Sequence, residues 1–540
     1  MRPLLFAVAS LILAATTAAQ PSAARCADLA HLTLDQAHVE SATVVPAGTF
    51  VVPPRPTGTN QQVPLYKELP AFCRVKLEAT PSADSEIQIE VWLPLTAVKW
   101  NHRFQGQGNG GFAGEIDYQG LARFLEDGYA TAGTDTGHFA DGIDARWALH
   151  HQEKITDFGW RGVHQMTVQA KAVLSAYYGA PAAHNYFASC SDGGREALME
   201  AQRFPADYDG ILAGAPAYNW TTLVTSAALG MQTLLGTAGG YIPASKVPVL
   251  QKAVLAQCDA QDGVRDGIIN DPSVCHFDPA RLTCRGKDTA KCLTPGQVRS
   301  LTVLMSPRPV GNDTVIPPFV PAGAETGSNG WVDWITGKER GKSAMAGFGQ
   351  GYFANMVYSD PHWDYHAFQP VAGLAAARRS TGHALDATDP DLGPFQKRGG
   401  KMILYHGWAD AAISPYYSIH YYEAVQKTLG AGQTADFLRV YLLPGVKHCA
   451  GGSGPDAVGQ FGVPSLQSGT AGNNFVLALR DWVEQGTAPG TMIATKYASD
   501  AAGKHSLHKV QMTRPLCPYP QQAHYQRKGS TKKASSFVCQ

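Results

Sequence analysis

The 540-residue sequence predicts an α/β fold, a mostly parallel sheet flanked by helices and interrupted by one long insertion. Three observations carry this reading. Five short apolar runs end in Gly, Asp or a polar residue and read as buried strands: YATAGTD (129–135), HNYFASC (184–190), DGILAGAPA (209–217), KMILYHG (401–407) and FLRVYLLPG (437–445). Helical patterns lie between and after them. In 161–179, Val163, Met166, Ala170, Val173 and Leu174 fall at helical spacing and Gly179 supplies a cap, and 193–204 reads as a second helix. Residues 218–388 break the alternation. They hold four of the ten cysteines, an acidic loop and many Gly, Pro and aromatic residues, and read as a lid inserted over the sheet's C-terminal edge. The predicted domains are therefore 21–217 with 389–540, and a lid of 218–388.

The N-terminus reads as a processing segment. In MRPLLFAVASLILAATTAAQ, Arg2 precedes an apolar run from Leu4 to Ala15, and small residues follow at Ala18 and Ala19, so residues 1–20 are expected to be a signal peptide. The run is short for a membrane span, and no later stretch is long and apolar enough. Lys plus Arg equals Asp plus Glu at 44 each, so no net charge steers the protein to nucleic acid or an anionic membrane. The expected compartment is secreted or periplasmic.

Ten cysteines, all after the signal segment, fit an oxidising compartment. Short-range pairs Cys258/Cys275, Cys284/Cys292 and Cys517/Cys539 are plausible, which leaves Cys26, Cys73, Cys190 and Cys449 unassigned by sequence. No C-x-x-C spacing supports the rival reading, a metal site built from these thiols.

ASCSDGGR (188–195) places Ser191 where a strand ends and a helix begins. A serine hydroxyl is a weak nucleophile. It needs a neutral imidazole in hydrogen-bond reach, held in turn by a carboxylate. Asp410, in the turn WADAAISP, and His448, in VKHC, each follow a predicted strand, in the order Ser, Asp, His. Each alone has an ordinary reading: turn residue, helix N-cap, or one of 18 histidines. Together, at strand ends and in order, they read as a triad. His406, on the strand before Asp410, is expected to line the core or pocket. An oxyanion hole is expected from the N–H of Asp192 and the glycine loop GQGNGGFAG (106–114), with Gly110 and Gly111 closest to substrate. No Lys-Ser/Thr follows these glycines, so the loop is not a Walker loop.

CSDGG (190–194), HGWAD (406–410) and KHC (447–449) resemble the tannase/feruloyl esterase family of α/β-hydrolases, which includes the bacterial enzyme acting on the mono-hydroxyethyl ester of terephthalate. The likeness runs from about Cys26 to Cys539. It implies an α/β-hydrolase core sheet with a large inserted lid. It also implies disulfides Cys190–Cys449, Cys26–Cys73, Cys258–Cys275, Cys284–Cys292 and Cys517–Cys539, which use all ten cysteines. A structural Ca2+ site is implied in CDAQDGVRDGIIND (258–271), from the carboxylates of Asp259, Asp262 and Asp266 and the carbonyls of Val264 and Ile268. Calcium takes about six to eight oxygens, which suits such a cluster, although the register is not that of an EF-hand. The sequence departs from the family in one place: Ser189 stands two before the serine, where many members have Gly or Ala.

The expected activity is that of a secreted serine carboxylic-ester hydrolase with no organic cofactor, forming an acyl-enzyme from small esters of aromatic acids such as ferulate, caffeate or gallate. Its substrate includes esters attached to plant polysaccharide or polyphenol. Tannase and terephthalate half-ester hydrolase are the alternatives within the class. A calcium-stabilised binding protein and a serine peptidase are the alternatives outside it. The lid segment 351–368, with Tyr352, Phe353, Tyr358, Trp363 and Tyr365, is expected to give part of the acyl wall or else the lid's own core, and Arg340, Arg378 and Arg379 are the lid cations available to a charged acyl acid.

Overall fold

The computed structural model describes residues 23–56, 63–95, 100–460, 469–499 and 505–540, so the expected signal peptide lies outside the described residues. A nine-stranded sheet organises the chain. Its strands are β1 (Ala37–Val45), β2 (Phe72–Ala79), β3 (Ile87–Pro94), β4 (Arg103–Gln107), β5 (Ala130–Thr134), β6 (His184–Cys190) and β7 (Gly210–Gly214), and, after a short hairpin of β8 (Arg308–Val310) and β9 (Thr314–Ile316), β10 (Lys401–Gly407) and β11 (Leu438–Leu443). The order across the sheet is β1-β2-β3-β5-β4-β6-β7-β10-β11.

From β5 to β11 all neighbours are parallel. All five strands read from sequence lie in this block. The strands β1, β2 and β3 add an antiparallel edge, joined antiparallel to β5. The sheet is therefore mixed. The edge strands carry the period-two signature of half-buried strands: in FCRVKLEA the apolar residues are buried and Arg74, Lys76 and Glu78 are not. After β11 the chain adds the hairpin β12 (Met492–Ser499) and β13 (His505–Leu516), then β14 (Ala523–Tyr525) paired with β15 (Phe537–Cys539).

The helix Gly162–Tyr178 covers the sheet with Val163, Met166, Ala170, Val173 and Leu174, all buried. Gly179 ends it at φ 74°, a conformation that costs glycine little. Truncating Leu174 to Ala would cost about 2–5 kcal/mol, because the closed site cannot collapse fully around the lost atoms.

The chain between β7 and β10 packs largely on its own. Leu250, Val254, Leu301, Leu304 and Trp331 belong to an apolar cluster separate from the sheet's. All five expected disulfides are present: Cys26–Cys73, Cys190–Cys449, Cys258–Cys275, Cys284–Cys292 and Cys517–Cys539. Among the described residues, no helix is long and apolar enough to cross a membrane.

Candidate active site

Strand β6 ends at Cys190, and the next helix, Asp192–Arg203, begins one residue after Ser191. The serine itself has φ 69° and ψ −121°, a sparsely populated backbone region for a side-chain-bearing residue. Hydrogen bonds hold it there: Ser191 N–H donates to Gly214 O at 2.9 Å, and Ala217 N–H donates to Ser191 O at 3.1 Å.

So sharp a turn brings the residues two before and two after the serine into contact. A Cβ on Gly193 would stand 1.9 Å from Ser189 Oγ. Position 193 has no room for a side chain, with Ser189 on one side and the Asn109 carbonyl oxygen 2.8 Å from the same Cβ on the other. Gly193 carries none, so the departure at position 189 is compatible with the turn.

The three predicted residues meet. His448 Nε2 lies 2.8 Å from Ser191 Oγ, and His448 Nδ1 lies 2.8 Å from Asp410 Oδ2. Asp410 Oδ1 accepts from the N–H groups of Ala412 and Ile413 at 2.7 and 2.9 Å, which fixes the carboxylate at the end of β10. His448 and Asp410 are buried, and Ser191 is half-buried. Burial alone would raise the Asp410 carboxyl. The charge of His448, with hydrogen bonds from His406 and His448, outweighs burial and holds Asp410 below the usual carboxylate range. His406 is a fully buried neighbour of the carboxylate: its Nε2 is 3.2 Å from Asp410 Oδ2, and its Nδ1 is 2.7 Å from Ser418 Oγ.

The Cys190–Cys449 bridge has its Cα atoms 6.0 Å apart and joins the residue before Ser191 to the residue after His448. Gly111, Ser191 and Asp192 line one cavity, and Gly110 lies in the adjoining groove with Gly111. Among the described residues, the N–H groups of Asp192, Gly110 and Gly111 donate to no protein acceptor, so they are free to serve a ligand oxygen.

The same cavity is walled by Trp220, Leu223, Val224, Phe319, Trp334, Met345 and Phe348, with Ser226 among its few polar groups. The segment 351–368 does not line it; of its two readings, acyl wall or core, the structure favours the core. Tyr352 and Phe353 are buried in the core instead, and Phe353 stacks on Trp363 at 5.2 Å. Arg340, Arg378 and Arg379 do not line the cavity either; Arg340 donates to Leu235 O and Arg378 to Thr314 Oγ1.

A segment between β7 and β10 missed by sequence reasoning clasps the histidine loop. Asn329 Nδ2 donates to His448 O at 2.7 Å, Lys447 Nζ donates to Thr326 O and Ser328 O at 2.6 and 2.8 Å, and the Trp334 ring meets the His448 ring edge-on at 4.9 Å. Tryptophan in WVDW (331–334) was its only local signal.

In the acidic loop, Asp259, Asp262 and Asp266 receive backbone N–H bonds from Gly267, Val264 and Ile268. Burial first, then the neighbouring Asp266 and Asp259 charges, push Asp262 up to about 6, and its Oδ2 is buried with no partner among the described residues. A crowd of carboxylates with a spare buried oxygen fits a hard cation. Asp266 Oδ2 also receives Arg514 Nη2 at 2.5 Å. Among the described residues, two groups of three side chains bring their ligand atoms within 4.8 Å of one another: Cys284, Asp288 and Cys292, whose thiols are spent in a disulfide, and His164, Glu200 and Asp207. The three loop aspartates do not form such a group.

A mixed sheet with a serine at a strand–turn–helix junction, in contact with an imidazole and a carboxylate from later strand ends, defines the serine hydrolases of the α/β-hydrolase class. Within that class the family profile of tannase and feruloyl esterase matches residues 73–540, and the chain belongs to this family of carboxylic ester hydrolases. The chain is 38% identical to an uncharacterised esterase of Xanthomonas campestris pv. campestris, covering 100% of this chain and 95% of the relative. It is 30% identical to a probable feruloyl esterase B-2 of Neosartorya fischeri, covering 99% and 98%. The crystal structure of feruloyl esterase B from Aspergillus oryzae superposes with a TM-score of 0.86 at 30% identity, over 96% of this chain and 100% of that one. Tannin acyl hydrolase from Aspergillus niger shares the fold, with a TM-score of 0.71 at 20% identity, over 96% and 95%.

Proposed function

We propose that this protein hydrolyses esters of hydroxycinnamic-type aromatic acids through an acyl-enzyme on Ser191. The observation that carries the reading is the apolar cavity, rich in aromatic rings, that opens on Ser191 Oγ. Ser191 Oγ attacks the ester carbonyl while His448 Nε2 takes its proton. Asp410 orients the ring and stabilises the imidazolium. The N–H groups of Asp192 and of Gly110 or Gly111 receive the oxyanion. Collapse breaks the bond to the alcohol oxygen, which takes the proton from His448. Water, deprotonated by His448, then releases the acid and restores Ser191.

Two features favour a hydroxycinnamate over its rivals. Among the described residues no arginine or lysine lines the cavity, so a terephthalate carboxylate has no counter-charge there. With Ser226 among few polar groups there, the three ring hydroxyls of gallate lack partners. The names of related proteins agree with this reading.

The catalytic domain is 21–217 with 389–540, and 218–388 is the lid. Asp259, Asp262 and Asp266, with the carbonyls of Val264 and Ile268, would hold Ca2+, which would supply structural cross-linking of the loop and no chemistry. Five disulfides support a secreted or periplasmic location, where the substrate is a free ester or the same acyl group on plant polysaccharide or polyphenol.

The test is hydrolysis of methyl ferulate, methyl gallate, chlorogenate and the terephthalate half-ester. Hydroxycinnamates should be cleaved best, and Ser191→Ala should lose about 10⁴-fold or more in kcat. A clear preference for gallate or the half-ester overturns the acyl assignment, and cleavage of peptides alone overturns the ester reading.

A further inference from the structure

The oxyanion hole is assembled from two segments on neighbouring strands, the loop after β4 and the turn after β6. Donors of this kind act only if they are held at about 2.7–3.1 Å from where the charge develops, so something must lock the two segments together. Asn109 is the only residue of the glycine loop in backbone hydrogen-bond contact with the nucleophile helix among the described residues, and it makes two contacts. Its carbonyl accepts from Gly193 N–H at 2.9 Å. Its own N–H donates to Glu196 Oε2 at 2.8 Å. Helix carbonyls point away from the helix N-terminus, so the helix has no backbone acceptor to offer there, and a side chain one turn further on supplies it. On its far side Asn109 is fixed by its amide, which donates to Glu115 O and Thr134 O, both at 2.8 Å.

The fit is close. A Cβ on Gly108 would stand 2.4 Å from Glu196 Oε2, so the residue before Asn109 must be glycine for the carboxyl to reach. Glu196 is buried, with Oε1 unpartnered among the described residues. Asp192, Arg195 and Glu200 face it from its own helix, and Tyr208 from the turn before β7. Burial, followed by the Asp192 charge, raises its carboxyl, against the Arg195 charge and the Asn109 bond. Neutral or ionised, it keeps a carbonyl-type oxygen as acceptor.

We infer that Glu196 is a positioning residue for the reaction, setting the distance between the Gly110–Gly111 and Asp192 donors through the Asn109 N–H, by its acceptor oxygen and not by its charge. Glu196 is not part of the triad and does not line the cavity at Ser191. This inference rests on the ester-hydrolase reading of Ser191.

Two variants test it. Glu196→Gln keeps an acceptor oxygen and removes the titrating group. Glu196→Met keeps the length and removes the acceptor. On methyl ferulate, E196M should lose about 30–100-fold in kcat with KM within about threefold of wild type, because a misplaced donor costs only the transition state. Its inactivation by an alkyl p-nitrophenyl phosphonate, which needs the same hole, should slow in parallel, while inhibition by free ferulate stays unchanged. E196Q should keep kcat within about threefold and reproduce the wild-type pH–rate profile. The inference is overturned if E196M keeps its kcat, if its loss falls on KM, or if E196Q falls as far as E196M. Should E196M melt below the assay temperature, E196Q decides alone: a large loss of kcat or a shifted pH profile rejects the acceptor role. If wild type cleaves no ester, the reading of Ser191 fails instead.

Discussion

Two disulfide-bound regions of this protein look alike in sequence and differ in what they hold. Cys258–Cys275 closes a loop with a sequence separation of 17 around a cluster of aspartates. Cys190–Cys449 has a separation of 259 and joins two turns that carry Ser191 and His448. In the chain-entropy account, the short closure removes about 3 kcal/mol from the unfolded chain's freedom and the long one about 5–6 kcal/mol. The difference of location matters more. The short bridge closes a loop anchored to β13 through Arg514, whereas the long one joins the two turns that hold Ser191 Oγ and His448 Nε2 at 2.8 Å. A bridge matters to function according to what its ends are attached to.

The sharpest way to break this comparison is to open each bridge. Replacing Cys190 and Cys449 by Ser should lower kcat on methyl ferulate by about 10–100-fold, since small misplacements at the reacting centre cost rate steeply. It should also cost about 2–5 kcal/mol in chemical denaturation. Replacing Cys258 and Cys275 by Ser should leave kcat within about twofold while stability falls. Equal kcat losses in the two pairs would remove the distinction.

A smaller effect separates the lid's two aromatic stretches. Trp334→Ala should raise KM for methyl ferulate about tenfold, because the ring lines the cavity and meets His448. Trp363→Ala should leave KM alone and lower the melting temperature, because that ring stacks on buried Phe353.

Calcium removal probes the short-bridge region by itself. If the loop binds Ca2+ with the free ion about a hundredfold above its Kd, chelation removes about 2.7 kcal/mol, a drop of about 2–3 °C in melting temperature for a chain of this length, with kcat unchanged. Differential scanning fluorimetry with EGTA, then with restored Ca2+, measures this; a loss of kcat at full folding contradicts a structural role.

The last prediction concerns acid. His138 is buried beside the glycine loop, its Nε2 donating to Phe112 O at 2.8 Å, and burial, opposed by that bond, lowers it to about 4. Its folded pKa lies below the unfolded value of about 6.5, so the unfolded chain binds the proton first. The stability from burying it neutral is full above about 6.5 and is lost as pH falls to about 4, by about 3 kcal/mol in all. Asp135, raised to about 8 by burial against its backbone bonds, acts oppositely, contributing stability at low pH that is lost as pH rises. The informative quantity is therefore the difference between wild type and His138→Gln, which should narrow as pH falls from 6.5 to 4.

Much of the site was legible because its signals are local. Each of Ser191, Asp410 and His448 follows a short buried strand, and a strand's length and apolar pattern can be read in a window of a few residues. The sequence read less of the antiparallel edge, where β1 and β2 alternate apolar and polar residues without the continuous apolar run of β6 or β7. Which aromatic residues form the acyl wall stayed undecided in sequence for a different reason. Composition shows that the lid is rich in aromatic residues, but Trp334 and Phe353 look alike until packing sends one to the cavity and the other to the core.

The sequence alone placed Ser191, Asp410 and His448 at strand ends in that order and showed the α/β alternation, the long interruption before Lys401 and the even set of cysteines, with family resemblance supplying the pairing of Cys190 with Cys449. Only the tertiary structure decided that Gly193 makes room for Ser189, that Trp334 closes on His448, and that Glu196 holds the glycine loop through Asn109. The reason is physical. A strand or helix terminus is written by neighbours in the chain, which sequence shows. A contact between residues 87 positions apart, as between Asn109 and Glu196, is set by how whole elements pack, and no local pattern records it.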